Sequence, residues 1–393
     1  LAADVTIIGA GLAGLACARE LTSRGVHTEI LEASDRPGGR VRTDSHRGFL
    51  LDRGFQVLLT AYPECRSCLD YPALQLKSFY PGAMIWMDGK FHRTADPWRH
   101  PVDAVVSLNS PVGSFMDKLR VAGLRDSVLQ GTVEELFARR ESSTLEALRS
   151  RGFSGSMIEH FFRPFFGGIF LERDLETSSR MFEFVFRMFA QGDTALPASG
   201  MEAISRQLAW GLPVKLQTGV KELDALTSPA IVIAAEGPEA ARLLGLAPPT
   251  KWRSVQCFYF AADHPPVKEP IIVLDGEGGG PVNNFCVVSQ VAPSYAPPGA
   301  SLLNASVIGT ASEQQVREHL QLWFGPEVKR WLHLRTYDIH YAQPDQSRLP
   351  GLERPVRVRK GLYVCGDHVE TASLNGAIHS GKRAAEAVIA DLH

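Results

Sequence analysis

At 393 residues, with 45% hydrophobic and 21% charged side chains and a formal net charge of -2, the chain has the composition of a folded globule. The near-balanced charge gives no electrostatic basis for nucleic-acid binding, and no apolar run approaches the ~20 residues of a spanning helix. Single cores stop growing near ~250 to 300 residues, so two domains are expected, and six scattered cysteines suggest a reducing compartment rather than a disulfide framework.

Asp4-Val5-Thr6-Ile7-Ile8 predicts a short buried strand so near the start that a targeting peptide is expected to be already removed or never present. Gly9-Ala10-Gly11-Leu12-Ala13-Gly14 follows with the G-x-G-x-x-G spacing of a dinucleotide fold. Gly9 permits the tight turn, Gly11 lets a pyrophosphate approach the backbone, and Gly14 lets the helix pack on the strand. The helix, starting at Leu12 and Ala13, offers N–H groups and a positive dipole end to phosphates. It is expected to run to about Arg24 and stop at Gly25, before a strand over Val26 to Leu31. Glu32, with Ala33 beside it, lies at roughly the ~20-residue offset where an acid hydrogen-bonds ribose hydroxyls.

Arg36-Pro37-Gly38-Gly39-Arg40 completes an E-x-x-x-R-x-G-G-R arrangement with Glu32. This pattern resembles the flavin amine oxidase superfamily, which includes phytoene desaturases and protoporphyrinogen oxidases. The resemblance implies FAD and an α/β fold, with a discontinuous Rossmann-like FAD-binding domain and a mixed-sheet plus helical substrate domain. Residues 1–75, 190–248 and 352–393 are assigned to the first, and 76–189 and 249–351 to the second, with a helical subdomain near 107–190. Gly39 permits close backbone approach, and Arg40 supplies a fixed cation for the pyrophosphate or ribityl region.

Asp52-Arg53-Gly54-Phe55-Gln56 is similar to the family's second conserved turn, implying Gly54, Phe55 and Gln56 beside the flavin ring, although a surface glutamine fits Gln56 as well. Cys65-Arg66-Ser67-Cys68 has C-x-x-C spacing but no second pair for zinc and no thioredoxin-like context. His92, His100, His368 and His379 are dispersed, and neither H-E-x-x-H nor G-x-S-x-G occurs. His368, next to Asp367, fits a place near the flavin or in solvent. From Ser107 to Ala190 the pattern is mostly helical and carries Phe161, Phe162, Phe165, Phe166, Phe170, Phe182, Phe184, Phe186 and Phe189 close to Gly167-Gly168. Each of these phenylalanines suits the core, yet their concentration equally suits a tunnel or membrane-facing mouth for a lipophilic substrate.

The segment from Leu196 to Met201 is similar to the family's P-x-G-M segment, and Val214 to Leu216 with Val220 to its adenine-side strand and turn. The link from Lys221 to the strand at Ile231 is shorter than the family's hairpin, by a reduced loop or by missing residues. Strands are expected over Trp252 to Phe260 and around Ile271 and Leu302, with Tyr341 placed near the flavin or in the core. Leu362 to Cys365 predicts a buried strand ending in Gly366-Asp367, where open α/β sheets bind ligands. Leu374, Asn375 and Ala377 then open a helix resembling the family's last FAD helix, whose N-terminus would stabilise charge on the reduced ring.

Two departures set the chain apart from the monoamine type: Gln256 stands where a lysine is expected, and Ser373 where an aromatic is. The pattern is closer to the desaturase and protoporphyrinogen oxidase branches. It implies hydride removal from a lipophilic molecule without an assigned catalytic base, an unspecified electron acceptor, peripheral membrane association, and a plastid or bacterial cytoplasm. Amine oxidation and a flavin-free protein of the Rab GDP-dissociation-inhibitor type are the alternatives.

Overall fold

The computed structural model describes residues 3–99, 111–249, 251–349 and 355–392; His100 and the expected start of the helical stretch at Ser107 lie outside them. Val5–Ile8 is wholly buried and forms the centre of a six-stranded sheet. Across that sheet run Val214–Lys215, Thr28–Leu31, Val5–Ile8, Ala230–Ile233, Leu362–Val364 and Arg357–Arg359, the first five parallel and the last antiparallel. Distant stretches of the chain thus share one Rossmann-like sheet. Its register sets Ile8 beside Leu31 and Ile233, so the residues that follow each strand, Gly9, Glu32 and Ala234, leave from one edge. In this sheet the second strand is shorter than drawn from the sequence, Val26 and His27 lying ahead of Thr28–Leu31.

The helix Leu12–Ser23 ends at Arg24, and Gly25 follows at φ +78, a conformation that favours glycine. It packs beneath the final helix Leu374–Leu392, where a Cβ on Gly381 would stand 2.2 Å from Ala13 O. Ala384, Ala385 and Val388 join Gly381 on that buried face; Ala377, expected with them, is instead half-buried toward the cavity described below. Only a short 3₁₀ turn, Leu223–Ala225, closes the link before Ala230–Ile233.

A second sheet of seven strands contains Leu332–Pro344, Trp252–Ala262, Ser301–Ile308, Val282–Val287, Ile272–Asp275, Gly82–Met87 and Lys90–Ala95 in that order. All its pairs are antiparallel except Ile272–Asp275 with Gly82–Met87. Over it lies a helical layer. Phe115–Leu129 begins with a capping box between Ser114 and Asp117, and Asp117 also accepts from Ser154 N (2.8 Å) and Ser154 Oγ (2.6 Å), tying two helix starts together. Ser179–Gln191 carries a buried acid, Glu183, held by Arg139 (2.8 Å) and Arg151 (2.5 Å). A π-helical turn, Ile158–Phe162, runs into Arg163–Phe170, and Leu171 ends that helix at φ +55.

The helical layer separates the phenylalanines into two sets. Phe162, Phe182 and Phe184 are fully buried core, Phe162 and Phe182 meeting at 6.2 Å between centroids. Phe161, Phe165, Phe186 and Phe189 are partly buried and line a cavity, which the fully buried Phe166 and Phe170 also border.

Candidate functional site

A cavity of about 1000 Å³ begins at the edge where the parallel strands end and extends under the second sheet to the helical layer. Its first end is built from glycines. Gly9 turns at φ +105, and a Cβ there would meet Ala234 O at 2.8 Å, whereas a Cβ on Gly11 would meet nothing within 4 Å. That open face at the start of a helix is a cradle for phosphate. Gly39 lies over it at φ +58, its Cβ position 3.4 Å from Gly11 Cα. Leu12, Ala13, Ala33 and Val220 complete this end.

Glu32 is buried and fixed: Oε2 accepts from Ala10 N (2.7 Å), and Oε1 accepts from Ser34 N (2.8 Å) and Ser34 Oγ (2.7 Å). A carboxylate has about four acceptor positions, so one remains for a ribose hydroxyl. Arg40 donates to Asp367 Oδ1 (2.6 Å) and to Ala342 O (2.8 Å), joining the two ends of the chain. Glu236, at the end of Ala230–Ile233, stands 3.7 Å from the same guanidinium. Burial pushes the Glu236 carboxyl above its ordinary range; Arg40 draws it back down and Asp367 raises it again. Sequence reasoning missed Glu236, although it lies at the strand-end position where ligand contacts collect.

Gly54, Phe55 and Gln56 line the middle of the cavity with Gly366 and Leu374. Gln56 Nε2 donates to Arg40 O (2.9 Å) and Arg53 O (3.1 Å), leaving the buried Oε1 without a partner among the described residues. Ser373, in the place of the expected aromatic, receives Gly376 N on its Oγ (2.9 Å) and so caps the last helix. Below the turn, Asp52 accepts from Thr43 Oγ1 (2.5 Å), Met201 N (3.0 Å) and Tyr295 Oη (2.9 Å), and burial raises its carboxyl to about 6. This carboxyl joins Thr43 to the segment at Met201 and to Tyr295.

Away from the nucleotide end the wall is mostly apolar, with polar residues that include Asp96, Arg99, Lys118, Arg125, Asn284 and Ser306. Asn284 Nδ2 and Gln343 Oε1 have no hydrogen-bond partner among the described residues, and both side chains line the cavity. An unmet buried polar group costs about 1–3 kcal/mol, and these atoms, like Gln56 Oε1, are enclosed by protein rather than open to the cavity.

Five expectations change. Gly14 is off the wall because its bare Cα packs the helix onto the first turn, where a Cβ would stand 2.1 Å from Gly9 O. Asn375 is also off the wall: its Oδ1 accepts from Glu64 N (2.9 Å) and tethers Pro63–Cys68 to the last helix. Gln256 faces away, accepting from Ala311 N (2.6 Å), while Val255 faces the cavity. Strand alternation thus turns Gln256 away from the cavity. Tyr341 is neither core nor cavity; it is 46% exposed and edge-on to Trp252, and its neighbours Ala342 and Gln343 line the wall. His368 packs against Gly366 and Gly237 outside the wall. Cys65 and Cys68 sit on Pro63–Cys68, where burial raises both thiols.

The glycine cradle and the tethered acid suit a flavin dinucleotide. The family model for flavin containing amine oxidoreductases matches residues 12–389. The chain belongs to that family. FAD and the oxidoreductase class come with the membership, which removes the flavin-free alternative. Over 164 residues the chain is 27% identical to protoporphyrinogen oxidase 2, chloroplastic/mitochondrial, of Arabidopsis thaliana, covering 42% of this chain and 32% of that one. Over 247 residues it is 29% identical to lysine-specific histone demethylase 1B of Mus musculus, covering 56% and 26%. The chain thus spans about a third or less of these relatives. An oxidoreductase of Methanosarcina mazei shares the fold at TM-score 0.73 and 20% identity, covering 98% of this chain and 99% of that one. Putrescine oxidase bound to putrescine does so at TM-score 0.70 and 17%, covering 99% of each.

Proposed function

We propose that the protein oxidises a lipophilic small molecule, of the polyene or porphyrinogen kind, by hydride removal at the aromatic end of this cavity. The observation that carries the reading is continuity: one cavity joins Gly9, Gly11 and Glu32 to Phe161, Phe165 and Phe189. FAD, when bound, supplies the hydride acceptor. Gly9, Gly11, Glu32, Gly39 and Arg40 would hold its dinucleotide part, and Gly54, Phe55, Gln56, Gly366, Asp367, Leu374 and Ala377 its ring and ribityl side. The phenylalanine wall excludes water and restricts the substrate to a slot. The first turn of Leu374–Leu392, with Ser373 as its cap, presents a positive dipole end toward the cavity. No side chain is assigned as a catalytic base.

Carboxylates on the wall lie at the nucleotide end, as Glu32, Glu236, Glu239 and Asp367, or beside Arg99, as Asp96. A cationic amine at the aromatic end would therefore go uncompensated, which favours a neutral substrate over an amine. The wall also reaches Trp98, Lys118 and Arg125, and on the same helix Phe115, Met116 and Leu119 are exposed. Basic and apolar side chains together at a cavity mouth support peripheral docking on an anionic bilayer, although no described helix is long and apolar enough to cross one. All six cysteines are free thiols, which supports a reducing setting such as a plastid stroma or bacterial cytoplasm.

Anaerobic mixing of the flavin-loaded protein with a polyene, a porphyrinogen and an amine tests the proposal. Bleaching of the flavin by the polyene or the porphyrinogen is expected. Bleaching by the amine alone would overturn it.

A further inference from the structure

We infer that Glu236 takes up a proton from solvent as the flavin dinucleotide binds, so that the chain holds FAD more tightly as pH falls. Only the cofactor end of the cavity is involved, whatever the substrate. Strand register brings Glu236 there: Ile8 pairs with Ile233, so the first glycine turn and the end of Ala230–Ile233 leave the sheet together, and a Cβ on Gly9 would stand 2.8 Å from Ala234 O. Two residues on, Glu236 lines the cavity with its side chain 40% exposed, and it makes no cap hydrogen bond to the helix Gly237–Leu243 that follows. Its Oε1 lies 3.7 Å from Arg40 Nε. Arg40 in turn follows Gly39, whose Cβ position is 3.4 Å from Gly11 Cα in the phosphate cradle.

The charges at this end do not balance. Arg40 is the only wall cation there among the described residues, since Arg53 is tied to Asp44 (3.0 Å) and Arg99, Lys118 and Arg125 lie toward the aromatic end. Its charge is already answered by Asp367 at 2.6 Å. Glu236 is a second carboxylate on the same cation, and a diphosphate brings two more negative charges. Glu239, on the following helix, is paired with Arg242 (2.6 Å), and the His368 ring comes 3.4 Å from the Cβ position of Gly237.

Like charges crowded on one cation favour protonation of the least closely paired of them, which is Glu236. Burial already holds its carboxyl above the ordinary range, against Arg40 and with Asp367. A ligand filling this end removes the water that still reaches the side chain and pushes the carboxyl further the same way. In its acid form Glu236 no longer repels the diphosphate, and it gains an O–H that a phosphate oxygen can accept.

Uptake of one proton on binding weakens affinity by up to about tenfold per unit rise in pH. Equilibrium dialysis of the flavin-free protein against FAD from pH 5.5 to 8, at constant ionic strength, should therefore show a loss of at least about tenfold across that range. Glu236→Gln should flatten the profile to within about twofold and bind FAD about tenfold more tightly than wild type at pH 8. Glu236→Ala takes its place if that variant does not fold, and His368→Gln should keep the wild-type slope. Mixing FAD with the flavin-free protein in weak buffer at pH 7 should draw protons from solution with wild type and none with the Glu236 variants. A flat wild-type profile would overturn the proposal, as would a slope that survives Glu236→Gln or disappears with His368→Gln. So would weaker binding by Glu236→Gln at pH 8, since Glu236 would then serve as an anion that accepts from a flavin hydroxyl. A wild-type chain that takes no FAD at any pH would remove the cofactor site and the proton uptake together, whereas bleaching by an amine alone would leave both standing.

Discussion

The two ends of the cavity treat polar groups in opposite ways. At the nucleotide end they are already engaged within the chain: Glu32 holds Ala10 and Ser34, and Arg40 holds Asp367 and Ala342. At the aromatic end the wall is carried by ring faces, with Phe161, Phe165, Phe186 and Phe189 partly buried along it. The first arrangement is preorganised for one charged ligand, because its donors and acceptors keep their geometry whether or not the ligand is there. The second offers an incoming molecule chiefly shape and apolar contact.

The sharpest way to break this contrast is at two glycines three residues apart. Gly14→Val drives a side chain into Gly9 O, which lies 2.1 Å from the Cβ position, and the first turn cannot yield without moving the central strand. Loss of the folded, flavin-bound state is expected, a cost of at least about 3 kcal/mol. Gly11→Val projects into open space. It should leave the urea midpoint of the flavin-free protein near wild type and abolish flavin retention. If both variants fold and both stay yellow, the glycine end is not the phosphate cradle.

The phenylalanines offer the matching experiment at the other end. Phe162 is fully buried and touches Phe153, Phe161, Phe166 and Phe182. Phe162→Ala should cost about 3–5 kcal/mol by urea unfolding, with substrate preference unchanged. Phe161, partly exposed on the wall and stacked on Phe165 at 5.5 Å, should cost about 1 kcal/mol or less as Phe161→Ala while raising KM for lipophilic substrates. A reversed pattern would mean that the wall is core and the tunnel is elsewhere.

The same contrast explains what the sequence revealed. The nucleotide end was legible because its requirements are local: the turn at Gly9, the helix start at Leu12 and the acid at Glu32 fall within one strand-helix-strand unit, and the residues expected there line the cavity except Gly14. Arg40 and Asp367, 327 residues apart, were legible only through the family pattern, since no spacing rule joins them. The aromatic end was legible in composition but not in direction. Helical phase and a π-helical turn decide which of Phe161, Phe162, Phe165 and Phe166 face the cavity, and the extra residue in that turn shifts the phase in a way the sequence does not announce. The direction of Gln256 was not legible either, because alternation along Trp252–Ala262 decides that Val255 rather than Gln256 faces the cavity.

A smaller effect is expected at Asp52, which couples the two halves. Its folded carboxyl titrates near 6 rather than 3.8, chiefly because it is buried. The folded state therefore holds this proton more tightly than the unfolded one. The resulting stabilisation is complete below about pH 4, falls as pH rises toward 6, and is gone above that, by on the order of 3 kcal/mol at most. Other carboxylates titrate in the same window, so the measurement is the difference between wild type and Asp52→Asn in urea midpoints from pH 4 to 7. That difference should change by pH 6 and then level off. A difference independent of pH would place the Asp52 titration elsewhere.

The smallest predicted change concerns Glu32, and it tests whether in-chain pairing at the nucleotide end is scaffold or recognition. Glu32→Gln keeps one oxygen for Ala10 N or for Ser34, but not both, and replaces an acceptor with an amide N–H donor. If the acid also receives the adenosine ribose, flavin affinity should fall about tenfold, ~1.4 kcal/mol. The thermal midpoint of the flavin-free protein should move by less than that, because Gly9 N still donates to Leu31 O at 2.8 Å and holds the turn. Equilibrium dialysis against FAD, set beside the melting curve of the flavin-free protein, separates the two roles. A midpoint that drops while affinity per folded molecule stays level would make Glu32 a clamp for the first turn and nothing more, and the nucleotide end would then recognise its ligand through backbone N–H groups alone.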